Sequence, residues 1–132
     1  MPARGSLVPA LLWALLILIL CLIPGAALPQ WDWADLVDFD KAVHVALFFG
    51  QSLLLVRLFR GHGRPQRWLL WAVLISATYG IALEFLQGFE ALGRRTDPND
   101  MIANTAGACL AAWYAHRRVG KGKPVLPFAA DR

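Results

Sequence analysis

Residues 68–86 read WLLWAVLISATYGIALEFL. The run carries polar residues only at intervals, and its one charge, Glu84, comes two residues before the end. Its length matches the ~17–25 residues that cross a bilayer as a helix. Lipid cannot hydrogen-bond open backbone groups, so a helix is the form such a run takes. Three more apolar runs, at about residues 7–23, 43–59 and 101–115, repeat the pattern, the last one short. No ten-residue alternation of the kind that builds a β-barrel is visible.

Composition agrees. The chain has 132 residues, enough for one domain, with 58% hydrophobic and 17% charged residues and a mean hydropathy of +0.48. A soluble domain this small keeps most residues near water and cannot bury so much apolar surface. The expected fold is an all-α membrane protein: a bundle of about four transmembrane helices in a single domain, with residues 116–132 as a basic cytoplasmic tail.

The formal charge is +4, but the charges sit in the gaps between apolar runs. That placement speaks of membrane topology rather than nucleic-acid binding. Arg4 precedes the first run. Asp32, Asp35, Asp38 and Asp40 outweigh Lys41 in the first gap, and Arg57, Arg60, Arg64 and Arg67 fill the second. The third gap sets Glu84, Glu90, Asp97 and Asp100 against Arg94 and Arg95. The tail carries Arg117, Arg118, Lys121, Lys123 and Arg132 against Asp131. Basic segments stay in the cytoplasm, so both termini are expected inside. Trp31 and Trp33 would mark the outer interface, and Trp68, Trp71, Trp113 and Tyr114 the inner one. The basic tail would lie beside anionic lipid.

Arg4, the first run and Pro24-Gly25-Ala26-Ala27 resemble a signal peptide. The run is long for a signal core and reads as a retained anchor; cleavage would leave three spans in the same orientation. Cys21 and Cys109 both lie inside apolar runs, without the close spacing of a metal clip or support for a disulfide.

Small residues recur every four positions: Ala42, Ala46, Gly50; Ala72, Ser76, Gly80; Ala103, Gly107, Ala111, Ala115. Such stripes let helix backbones approach closely in lipid, and together they favour a bundle of spans two, three and four. Residues three or four apart share a helix face. The same faces therefore carry Asp40 and His44, then Glu84 and Gln87, then Asn104.

With this topology the unusual polar residues gather at the extracytoplasmic end. Asp40, Lys41 and His44 begin the second span, and Glu84 and Gln87 end the third. Arg94, Arg95, Asp97, Asp100 and Asn104 lead into the fourth. Ionisable groups at membrane depth are costly and point to function. Plainer readings stand beside this one. Asp97-Pro98-Asn99-Asp100 has the form of a helix start, with Asp97 as N-cap and Pro98 at the first position. Asp38 or Asp40 could cap the second helix, with Lys41 snorkelling to the headgroups. Arg94 or Arg95 could pair with Glu84 or Asp97. Glu84, between Leu83 and Phe85, carries a desolvation cost unless paired or protonated.

In order and spacing these blocks resemble the VanZ-like family of bacterial integral membrane proteins. They are Asp40-Lys41-x-x-His44, Glu84-x-x-Gln87 and Arg94-x-x-Asp97-x-x-Asp100-x-x-x-Asn104-x-x-Gly107. The likeness runs from about Asp40 to Ala115. The family often has a proline close to its arginine, where here Gly93 precedes Arg94, and of the doubled Arg94-Arg95 spacing favours Arg94 as the equivalent residue. The resemblance implies a multi-pass cell-envelope protein of the bacterial inner (cytoplasmic) membrane, linked in the family's namesake to resistance to the glycopeptide teicoplanin.

Two functional classes follow, and a structural one. In the first, the site binds an anionic lipid or lipid-linked cell-wall intermediate. Arg94, Arg95 and Lys41 face phosphate, while His44, Glu84, Gln87 and Asn104 orient the headgroup. Asp40, Asp97 and Asp100 complete the lining, and no metal, cofactor or nucleic acid is called for. In the second, an intramembrane enzyme acts on a phosphorylated lipid, with His44 and Glu84 as catalytic acid–base candidates. Alternatively, Asp40, His44, Glu84 and Asp100 hold a divalent metal in it. In the third, the polar cluster only staples the helices of an accessory subunit.

Overall fold

The structure, a computed structural model, describes residues 7–23, 39–60, 65–89 and 96–128. These contain helices α1 (Leu7–Cys21), α2 (Phe39–Phe59), α3 (Pro65–Gln87) and α4 (Pro98–Gly120), and no strand among the described residues. At 1.5 Å per residue α2, α3 and α4 are ~31–34 Å long and α1 ~22 Å. Two stretches, Asp40–Phe59 in α2 and Arg67–Gln87 in α3, are long and apolar enough to cross a membrane, with mean hydropathies of 1.7 and 1.8. The first helix is apolar but shorter.

Local chemistry sets the helix ends. In α2 an acid, Asp40, occupies the first turn and Arg57 the last, each matching the helix dipole. Pro65 opens α3 where its missing N–H costs nothing. Asp97, in extended backbone, caps α4 by accepting from Asn99 N (2.9 Å), and Pro98 follows at the first position, as the sequence predicts. The far end of α4 closes on a glycine in the left-handed region, Gly122 (φ 68°). Gly122 N donates to Val119 O and Lys123 N to Arg118 O, each at 2.9 Å, which satisfies the last carbonyls.

The fourth helix lies chiefly against α2 and then α3, while α1 rests mainly on α2 and touches α3. Gly107 makes the α2–α4 approach possible: a Cβ there would fall on the Val45 carbonyl. Ser52 Oγ crosses the same seam to donate to Ala108 O (3.1 Å). Trp13 Nε1 donates to Leu47 O (2.8 Å) and Tyr79 Oη to Ala14 O (2.5 Å), tying α1 to both neighbours.

An apolar core is present, but the exterior is apolar as well, unlike that of a water-soluble domain. Leu70, Trp71, Leu74, Ile75 and Phe85 of α3 and Ile102, Leu110 and Trp113 of α4 point outward. Inside lie His44, Gln51, Ser52, Ser76, Glu84, Gln87, Asp100 and Asn104. Lipid is the solvent that suits such an exterior.

Three expectations change. The stripes of α3 and α4 are buried, but Ala42 and Ala46 of α2 are exposed, and Gly50 faces the Trp13 ring of α1. The buried stripe of α2 is instead His44, Phe48, Ser52 and Leu55–Val56. Trp68 is buried in the core with Ala72 and Ala115 rather than at the surface, whereas Trp71 and Trp113 are exposed. The basic tail is not all tail: α4 continues to Gly120, and Val125 and Leu126 fold back into the same core. Arg118 Nε holds that return by donating to Pro124 O (2.6 Å). Trp31 and Trp33 lie outside the described residues, and Cys21 (buried) and Cys109 (exposed) form no disulfide.

Candidate functional site at one end of the bundle

The start of α2, the end of α3 and the start of α4 meet at one end of the molecule, and the polar residues meet with them. Lys41 Nζ is the hub. It donates to Asp97 Oδ2 (3.0 Å) and Asp100 Oδ1 (3.1 Å), and lies 3.5 Å from Asp40 Oδ2. Its long stem lets an ammonium on α2 reach the first turn of α4 rather than rise to the headgroups. The pair with Asp100 is largely shielded from solvent, while Asp97 and Asp40 are more open. Lys41, with the Asn99 N–H behind it, holds the Asp97 carboxyl below the usual carboxylate range.

One turn further into α2, His44 is buried, and its Nδ1 lies 2.7 Å from Asn104 Oδ1. An amide oxygen accepts, so Nδ1 carries the proton and donates. His44 Nε2 then faces Asp100 Oδ2 at 3.7 Å, beyond hydrogen-bond range. Gly80 on α3 opens room for Asn104, because a Cβ there would sit 2.9 Å from Asn104 Nδ2.

Glu84 is fully buried. Its Oε2 accepts the Asp97 N–H (3.2 Å), and its backbone carbonyl accepts from Thr96 Oγ1 (3.2 Å). The last turn of α3 is thereby latched to the start of α4. Glu84 Oε1 and Asn104 Nδ2 have no hydrogen-bond partner although both are buried. An unmatched buried polar atom costs about 1–3 kcal/mol, so these two atoms mark where the cluster is chemically open.

The structure thus brings together Asp40, Lys41, His44, Glu84, Asp97, Asp100 and Asn104. Gln87 sits beside them, but its Nε2 donates to Cys21 O (2.9 Å) and ties α3 to α1. Arg94 and Arg95 lie outside the described residues. Thr96 and Gly80 were not singled out as site residues. Gly80 had a signal in the α3 stripe, and Thr96 had none beyond its place before the helix cap.

One donor atom from each of His44, Glu84 and Asp100 lies within 4.8 Å of the others, and all three residues are buried. Chemically the cluster offers an imidazole of fixed tautomer, two buried carboxylates, an amide and an ammonium. Such a set can hold a cation, exchange a proton or orient a polar headgroup.

No curated protein and no solved structure matches the chain. A family model does: VanZ/LLP1 matches residues 6–119. That span takes in α1, α2, α3, all but the last residue of α4, and every residue of the cluster. By that match the chain belongs to the VanZ/LLP1 family.

Proposed function

We propose that this VanZ-family protein crosses the bacterial inner membrane four times, with both ends in the cytoplasm. Its polar cluster then opens to the outer leaflet, where it holds the phosphate-bearing headgroup of an anionic lipid or lipid-linked cell-wall intermediate. The observation that carries this reading is the convergence of buried polar groups from three helices at one end of an apolar-coated bundle. Charge asymmetry between the gaps supports the orientation. The hydrogen bonds that join α1 to its neighbours, from its own Trp13 to Leu47 O and from Tyr79 and Gln87 to Ala14 O and Cys21 O, support its retention as an anchor.

The unmatched Asn104 Nδ2 is a donor in the site, and Lys41 offsets part of the carboxylate charge around it. Arg94 and Arg95, next to Thr96 in the sequence, supply the guanidinium groups that phosphate recognition favours. Retention of a cell-wall intermediate is how such a protein would bear on glycopeptide resistance. The test is mass spectrometry of lipids that copurify with the full chain in native-membrane nanoparticles. Enrichment of a phosphorylated lipid, lost in the Arg94→Ala/Arg95→Ala double variant, is expected. An identical lipid profile in the variant contradicts the reading.

A second reading, an intramembrane enzyme acting on a phosphorylated headgroup, is favoured by one observation: the buried grouping of His44, Glu84 and Asp100. Headgroup cleavage by the purified protein that disappears in His44→Ala would establish it.

A further inference from the structure

We propose that His44, Glu84 and Asp100 form a binding site for one divalent first-row metal ion of the Mn²⁺ or Zn²⁺ kind. The three come from three different helices, and each is at most 7% exposed. Two ligands held ~2.1 Å from an ion lie about 3–3.6 Å apart at neighbouring positions and ~4.2 Å apart on opposite sides. His44 Nε2 and Asp100 Oδ2, 3.7 Å apart, are too distant to bond each other but close to that first spacing. All three donor atoms lie within 4.8 Å of one another, so a contraction of at most about 1 Å, within the reach of side-chain rotation, closes the set.

The surroundings of each ligand fit the same role. Asn104 Oδ1 accepts from His44 Nδ1 and turns Nε2 toward Asp100; metal-binding histidines are oriented in this way. The Asp97 N–H fixes Glu84 Oε2 while Oε1, fully buried, has no partner. Lys41 holds Asp100 Oδ1 and leaves Oδ2 to the site. Imidazole suits zinc, carboxylates suit manganese and magnesium, and a mixed set of one nitrogen and two oxygens can serve either zinc or manganese. Three protein ligands leave coordination positions open, and a phosphate oxygen entering one would add to the hold of Arg94 and Arg95 on the headgroup. That last role rests on the headgroup reading above; the metal site does not.

The test uses the full chain in detergent, stripped with EDTA and dialysed against MnCl₂ or, separately, ZnCl₂. Metal is then counted by elemental mass spectrometry, and helicity is checked by circular dichroism. About one ion per chain is expected for the wild type. Binding at least ~10-fold weaker is expected in Glu84→Gln and in Asp100→Asn. Wild-type Mn²⁺ should show electron-spin-echo coupling to one imidazole nitrogen, a readout that needs no variant to fold. Failure of the wild type to hold either ion, a bound Mn²⁺ without that coupling, or undiminished binding in both variants would overturn the proposal. The Arg94→Ala/Arg95→Ala variant separates the two ideas, because it should lose the lipid and keep the metal.

Discussion

Lys41 shows how one side chain can organise a site. Its ammonium neutralises carboxylates that lie 56 and 59 residues away in sequence and joins α2 to the first turn of α4. Lys41→Met leaves the Asp100 carboxylate, in a buried setting, without the hydrogen bond that Lys41 donates. A loss of about 1–3 kcal/mol is expected, the cost of an unmatched buried acceptor, read as thermal or denaturant unfolding in detergent. Asp97 adds a pH dependence of defined sign. Its folded-state pKa is depressed, so its contribution is present above the unfolded value near ~3.9 and disappears as pH falls through the lower folded value. Stability should be insensitive to Asp97 above about pH 5 and decline below about pH 4. Because Asp97 is over one-third exposed, the effect is small, on the order of 1 kcal/mol or less. A melting-temperature series against pH checks it, and Asp97→Asn should flatten the acid limb. The Asp97 cap was readable from sequence because capping is a local code of adjacent residues. The pairing with Lys41 was not, because it depends on where two helices meet. Sequence offered snorkelling as a use for this lysine; the nearby α4 carboxylates are what draw it inward instead.

Helix faces were partly legible. The small-residue stripes of α3 and α4 do form their buried sides, whereas that of α2 does not. In lipid there is no hydrophobic contrast between a neighbouring helix and the solvent. Ala42 and Ala46 can therefore face outward without cost, and the polar side chains His44, Gln51 and Ser52 decide which face turns in. Gly107 is where close approach matters most. Gly107→Ala places a methyl on the Val45 carbonyl, and a loss of about 1–3 kcal/mol from overpacking is expected, again measured by unfolding. Gly80→Ala would crowd Asn104 and the Phe48 ring and should disturb both the site and the packing beside it. At the other end of α4, Gly122 stands at positive φ with open space around it. Gly122→Ala should cost roughly 1 kcal/mol through backbone strain alone, without disturbing the cluster at the opposite end. The fold-back of Val125 and Leu126 was missed because a basic, proline-containing segment reads as solvated. Two apolar residues suffice to dock it once Arg118 fixes the turn.

Across the whole molecule, the outward apolar side chains and the inward polar ones describe a protein built for lipid, with two helices able to cross a membrane by length and composition. Arg117 over the Trp113 ring and Arg118 over the Tyr114 ring place cation–aromatic pairs near the end of α4 opposite the cluster, a composition suited to a membrane interface. The proposed function requires that the cluster end face the outside and the α4 C-terminal end the cytoplasm. Site-directed labelling decides this. In a chain with Cys21 and Cys109 replaced by alanine, single cysteines are introduced by Thr96→Cys at the cluster and Lys123→Cys at the opposite end, both exposed positions. Intact cells are then treated with a membrane-impermeant maleimide. Labelling of Thr96→Cys in intact cells, and of Lys123→Cys only after permeabilisation, is the expected result. The reverse pattern would put the cluster in the cytoplasmic leaflet and contradict an outer-leaflet headgroup site.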